Sequence, residues 1–177
     1  MRIFCFPSVA EPFIFSYIKV FPIHIKERMP WDMNLELLNR IRQQDMAARL
    51  EGVQADQTLI DEFLANGISF ASTSEALESR FYQAVRELFQ CIIPAYHNGK
   101  HVLLEGGPYR GCWLESTGTI NSEVASRYLP SVAKNSFELF ADFQREDGLM
   151  PYKWTADGPA YKQIQLVTPL ARCVWNY

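Results

Sequence analysis

Residues 105–118, Glu-Gly-Gly-Pro-Tyr-Arg-Gly-Cys-Trp-Leu-Glu-Ser-Thr-Gly, constrain this chain more than any other stretch. Glycine and proline at this density leave no room for a regular element. The segment nevertheless carries two aromatic residues, an arginine and two carboxylates. Helix-like periodicity lies on both sides of it. The chain therefore reads as helices joined by shaped loops, with chemistry placed on a loop rather than in the packed body.

The helices follow from apolar spacing. Leu35, Leu38, Ile41 and Met46 recur at helical intervals from Asn34, and Gly52 is the stop. A shorter helix spans about Ala55 to Ala65, with Leu59, Ile60, Phe63 and Leu64 on its apolar face and Asn66-Gly67 at its end. Ser72 and Glu75 read as a capping box. Behind them Leu77, Phe81, Val85, Leu88, Phe89 and Ile92 form a stripe that closes at Pro94 and Asn98-Gly99. His101 to Leu104 is strand-like. After the loop, Ser122 to Tyr128 is helical and Pro130 opens a further helix with Val132, Ala133, Phe137, Phe140 and Phe143 inward, ending at Asp147-Gly148. Leu149 to Trp154 is extended and Asp157-Gly158-Pro159 is a turn. A last helix begins near Tyr161 or Pro169, and Leu166, Val167, Leu170, Val174 and Trp175 mark its apolar face.

Two ends stand out. Residues 1–33 form an N-terminal extension in which Pro7, Pro12, Pro22 and Pro30 interrupt a Phe- and Ile-rich run. It is too broken for a membrane helix and too short in its apolar part for a signal peptide. It reads either as an extended arm on the body or as sequence upstream of a natural start near Met29 or Met33. Residues 34–177 form the body, and the apolar pattern runs to Tyr177 without a glycine or polar cap, which reads as truncation.

Composition sets limits on partners. A net charge of -3 with interspersed signs gives no basic stripe for nucleic acid. Cys5, Cys91, Cys112 and Cys173 are scattered, without a CxxC pair or a histidine at metal-ligand spacing. They read as free thiols, so the expectations are no metal, no cofactor, no membrane and a reducing, cytoplasmic location.

Two constellations carry chemistry. In the first, Tyr109, Arg110, Trp113 and Glu115 lie within seven residues. A sugar site needs aromatic faces for the apolar side of a pyranose, and charged groups to pair with its hydroxyls. The bland alternative is a plug of aromatics, with Arg110 paired to Glu115 or Glu105. In the second, Gln144-Arg145-Glu146-Asp147-Gly148 ends a helix, and Asp147 is either a further ligand or part of a solvated glycine cap.

The stretch Gly-Gly-x-Tyr-x-Gly-x-Trp-Leu, followed about thirty residues later by Gln144-Arg145-Glu146-Asp147-Gly148-Leu149-Met150-Pro151, resembles the six-hairpin glycosidases. These include glucoamylases, trehalases, debranching enzymes and rhamnosidase-like proteins. The resemblance covers about Leu103 to Trp175. It implies an all-α fold, the first antiparallel hairpins of an (α/α)6 toroid, occupying 34–177. It implies a carbohydrate substrate held by Tyr109, Arg110, Trp113, Glu115 and Asp147. Where the family pattern has Arg-Asp after Trp-Leu, this chain has Glu115-Ser116, so sugar preference does not carry over. Glycoside hydrolysis needs two carboxyl groups across the scissile bond. In similar enzymes these lie on later hairpins, so the chain is expected to hold sugar without the acid and base. Glu115 is the one catalytic candidate within it. The competing expectation is a non-enzymatic helical scaffold that oligomerises through its apolar C-terminal helix. A prenyl-binding toroid is disfavoured by the lack of an Asp-x-Asp-Asp motif and of Gln-Trp repeats.

Overall fold

The computed structural model describes residues 31–67, 69–106, 109–161, 170–175 and 177. Most of the N-terminal extension, the remainder of the loop glycine pair, and Leu166 and Val167 of the expected last stripe lie outside the described residues.

Helices come first. α1 (Trp31–Gln43) and α2 (Met46–Arg49) are separated at Gln44-Asp45, where the Asp45 carboxylate accepts from the Ala47 and Ala48 amides at 3.0 and 3.2 Å. That cap starts a new helix in the middle of a pattern that reads as continuous. α3 (Gln57–Asn66) is capped in the same way by Asp56, which accepts from the Thr58 amide at 2.9 Å. It stops at Gly67 as the sequence reading has it, but with φ -63 and ψ 154. The extended chain path, not a left-handed glycine, ends this helix.

α4 (Glu75–Gln90) corrects two expectations. Its cap is Ser74, whose Oγ accepts from the Leu77 amide at 3.4 Å, whereas Ser72 Oγ accepts from the Ser74 amide. Leu77 is 55% exposed. The inward face instead runs through Glu78, Tyr82 and Phe89, with Val85 half-buried between them. Glu78 can be buried because its carboxylate is fully engaged. Arg40 Nη2 donates at 2.6 Å and the Ser72 amide at 3.1 Å to one oxygen, and Arg49 Nη2 at 2.8 Å and Gln44 Nε2 at 3.3 Å to the other. This network fastens α1 and α2 to α4.

The all-α toroid expectation is overturned, because the molecule is mixed α/β with two small antiparallel sheets. β1 (Ile92–Pro94) pairs with β2 (His101–Leu103), so the end of the supposed α4 stripe at Ile92 is a strand. β3 (Gly111–Trp113), β4 (Lys153–Thr155) and β5 (Gly158–Ala160) form the second sheet in that order. The glycine-rich loop therefore contains a strand after all. Its glycines do not prevent pairing, because β3 is only three residues long and its partner comes from forty residues downstream. The β4–β5 turn falls where Asp157-Gly158 was expected to turn, with Gly158 at φ 97.

The loop then continues directly into helix. α5 (Leu114–Ile120) passes through a π-helical turn (Asn121–Ala125) into α6 (Ser126–Tyr128). Thr119, Asn121, Ser122 and Ser126 all send side-chain donors back to carbonyls three or four residues earlier. Such back-bonding competes with amide donors for the same carbonyls, which accounts for the widened turn. α7 (Pro130–Asp142) begins with proline as expected, and α8 (Leu170–Trp175) lies near the end. In α8 the apolar stripe is corrected as well: Cys173 is buried, while Val174 is exposed and Trp175 is 88% exposed.

α7 organises the interior. On one side Val132, Ala133 and Phe137 join Leu59, Phe63, Phe89 and Leu129 in one cluster, with Phe63 and Phe89 edge to face at 5.4 Å. On the other, Leu139 and Phe140 join Val102, Leu104, Cys112 and Trp154 beneath the strands. Each fully buried side chain of this size stabilises the fold by about 1.5–3 kcal/mol. Ser136, also buried, donates to the Val132 carbonyl at 2.8 Å and accepts from the Leu103 amide at 3.0 Å, fixing β2 to α7.

Candidate functional site

The β3–β4–β5 sheet has two unlike faces. Cys112 and Trp154 oppose one another in the register and both are buried against α7. Alternation puts Gly111, Trp113, Lys153 and Thr155 on the opposite face, away from that core.

Trp113 and Lys153 are direct register partners on this outer face. The Lys153 ammonium lies 5.8 Å from the centroid of the Trp113 ring and 5.7 Å from that of Tyr152. Tyr109 is 61% exposed and meets Trp113 at 90°, with centroids 5.9 Å apart. Tyr109 is positioned by a tight turn, in which its amide donates to the Gly106 carbonyl at 3.0 Å and its carbonyl accepts from the Gly111 amide at 2.9 Å. Gly106 occupies φ 111, a conformation that needs glycine. Two rings at a right angle with a cation beside them make an aromatic corner.

The sheet and α5 bind the corner's edges. The Leu114 amide donates to the Tyr152 carbonyl, and the Glu105 amide to the Gly111 carbonyl, both at 2.9 Å. Glu115 sits in the first turn of α5, next to Trp113, and its side chain is half-buried and engaged. Glu105 is exposed and accepts from Ser116 Oγ at 2.8 Å. Arg110 is exposed between Tyr109 and β3.

Of the five residues singled out in the sequence, Tyr109 and Trp113 are in contact, and Arg110 and Glu115 adjoin them in the chain. Neither Trp113 nor Glu115 is enclosed in the body. Asp147 is used differently. Its carboxylate accepts from Arg145 Nη2 at 2.7 Å and from the Leu149 amide at 3.1 Å, holding the turn at Gly148, which has φ 84. Lys153 and Tyr152 escape sequence reasoning, because they join the corner only through pairing of two distant strands. The aromatic–lysine–aromatic order of Tyr152, Lys153 and Trp154 was the available signal, but an extended run does not name its partner.

A concavity of about 500 Å3 lies elsewhere, along α4, lined by Arg40, Arg49, Glu78, Tyr82 and Arg86 among others. Its guanidinium groups are already committed: Arg40 and Arg49 to Glu78, and Arg86 Nε to the Arg49 carbonyl at 3.0 Å. Volume alone would select this groove, but its chemistry is that of a helix-fastening ion network, so the aromatic corner is the better candidate site.

Cys112 adds no nucleophile to the sheet. Burial, and secondarily the negative charge of Glu105, push its thiol up to about 12, and its sulfur donates to the Leu103 carbonyl at 3.2 Å. Cys91, Cys112 and Cys173 are free thiols. Among the described residues, no group of three His, Cys, Asp or Glu side chains is arranged to hold a metal ion. No helix among them is long and apolar enough to cross a membrane. No family model matches the chain, and no curated protein or solved structure matches it either.

Proposed function

We propose that this chain binds carbohydrate at the Tyr109–Trp113 corner and serves a glycoside hydrolase by holding the sugar. The supporting observation is the pair of rings at 90° on the outer face of the sheet, with Lys153 across the register from Trp113. An indole face accepts the C–H side of a pyranose, and the polar groups around it can meet the hydroxyls. Arg110 and Glu115 are the nearest such groups in the chain. The general acid and base belong to residues other than these, and Glu115 acts as a sugar contact. The free thiols favour a reducing compartment, taken here as the cytoplasm.

Titration of neutral and charged oligosaccharides, followed by tryptophan fluorescence in the intact protein and in Trp113→Ala, tests the binding. Saturable binding that is lost in the variant supports it, and absence of binding by any saccharide removes it. Hydrolysis of an aryl glycoside by this chain alone, abolished by Glu115→Gln, would overturn the division of labour.

The second reading, a scaffold that oligomerises through α8, is favoured by the 88% exposure of Trp175. A monodisperse oligomer in light scattering that becomes monomeric in Trp175→Ser would support that reading.

A further inference from the structure

Lys153 is the unusual member of the aromatic corner. Its ammonium carries three donors. It lies near two rings, and its side chain is half-buried. Among the described residues, every ion pair joins other groups, and none brings a carboxylate to Lys153. Some cations elsewhere in the molecule do have carboxylate partners: Arg40 and Arg49 share Glu78, Lys100 and Lys134 share Glu138, and Arg145 holds Asp147.

We infer that the ligand supplies the missing anion, so that the sugar held at this corner is acidic, a hexuronic acid unit whose carboxylate pairs with Lys153. The inference rests on the carbohydrate reading above and narrows it. Geometry carries it. Direct register partners in an antiparallel pair have Cβ atoms about 4.5–5.5 Å apart, so the ammonium and the indole serve one small area. At 5.8 Å from the ring centroid, the ammonium stands over the indole at the outer reach of a cation–π contact. A pyranose resting on the indole therefore brings its exocyclic carbon toward the ammonium. A hydroxymethyl group there gains an ordinary hydrogen bond. A carboxylate gains a charge-assisted one, beside rings that have already displaced part of the ammonium's water. Arg110, exposed next to Tyr109, is a second cation close to the corner in the chain.

The experiment compares short oligomers of galacturonate, glucuronate and mannuronate with their methyl esters, which keep the shape and remove the charge. Binding is read by tryptophan fluorescence in the intact chain and in Lys153→Met, which keeps the aliphatic stem beside the rings. The expected result is about tenfold tighter binding of one acid over its ester at low salt, the size of a single charge-assisted contact. That preference shrinks as salt rises, and it collapses to near unity in Lys153→Met while ester binding persists. Equal binding of acid and ester overturns the inference and leaves carbohydrate binding intact. A preference that survives Lys153→Met overturns it too, since another cation would then be the partner. Binding of neither acid, ester nor any neutral oligosaccharide removes the carbohydrate reading itself. Thermal melting of Lys153→Met within a few degrees of the parent shows that its result reports on the site.

Discussion

The indole of Trp113 packs over the backbone of Gly111, two residues earlier on the same face of β3: a methyl group at position 111 would come within 3.0 Å of the ring. It would also come within 2.6 Å of the Trp154 carbonyl oxygen and 2.8 Å of Thr155 Cγ2. The backbone oxygen cannot swing away as a flexible side chain can. Glycine is required here for close approach, not for an unusual backbone angle.

Gly111→Ala is therefore expected to destabilise the fold by about 1–3 kcal/mol, the usual range for overpacking. It should also displace the Trp113 ring. Urea unfolding measures the first effect and near-ultraviolet circular dichroism the second. An alanine variant with parent stability and an unchanged aromatic spectrum would show that the sheet is looser than described.

This contact also explains what the sequence could and could not tell. The residue types of the corner were legible locally: Tyr109, Arg110, Trp113 and Glu115 stand together in one stretch. Helix existence was legible too, because apolar spacing and caps such as Pro130 act within a turn or two. The sheet was not. Its register joins Trp113 to Lys153 across forty residues, and three-residue strands offer too few positions for alternation to show. The inward face of α4 was misread for a different reason. A buried carboxylate looks like a surface residue until Arg40, Arg49, Gln44 and the Ser72 amide are brought to it by the fold.

Glu78→Ala should accordingly behave like a core mutation. It removes one acceptor from four donors, two of them on arginines that are 39% and 41% exposed. Those guanidinium groups can turn back to water, so the loss is expected at about 2–3 kcal/mol, below the usual cost of breaking a fully buried pair. The effect should be regional. Hydrogen exchange should rise in α1 and α2 well before it rises in α7, because the network ties that end to α4. Uniform acceleration along the whole chain would contradict this assignment.

Asn121 gives a prediction with a pH signature. It is fully buried in the π-helical turn. Its Nδ2 donates to the Thr117 carbonyl at 2.9 Å, and its Oδ1 has no hydrogen-bond partner among the described residues. Asn121→Asp keeps the shape, deletes that donor and buries a charge against the same carbonyl. At neutral pH the loss is expected to be about 3 kcal/mol or more. Burial raises the folded pKa of the introduced carboxyl above its unfolded value of about 3.9. The penalty is then present above the folded pKa and fades as pH falls through it toward the unfolded one, since the protonated group can donate to Thr117 again. Chemical denaturation at neutral and mildly acidic pH measures this, and a penalty that does not change with pH would refute it.

The Cys112 thiol sets an alkaline limit. Folded, it is held up at about 12 by burial, against an ordinary value of 9.0. Between these values the unfolded chain loses its proton while the folded chain keeps it. The stabilisation is therefore complete below pH 9.0 and is lost as pH rises toward about 12, at up to about 1.4 kcal/mol per pH unit. Tyr82 and Tyr177, both raised chiefly by burial, add to the slope above their ordinary value of 10.0. Urea unfolding of the reduced protein at several pH values from about 8 to about 11 should show this decline. Cys112→Ala should start from a lower stability, because it leaves a small cavity, and should decline less steeply, because one of the titrating groups is gone. If the two proteins lose stability in parallel across that window, Cys112 is not the group that resists ionisation, and its burial beneath β3 must be less complete than its full enclosure against Leu103 and α7 requires.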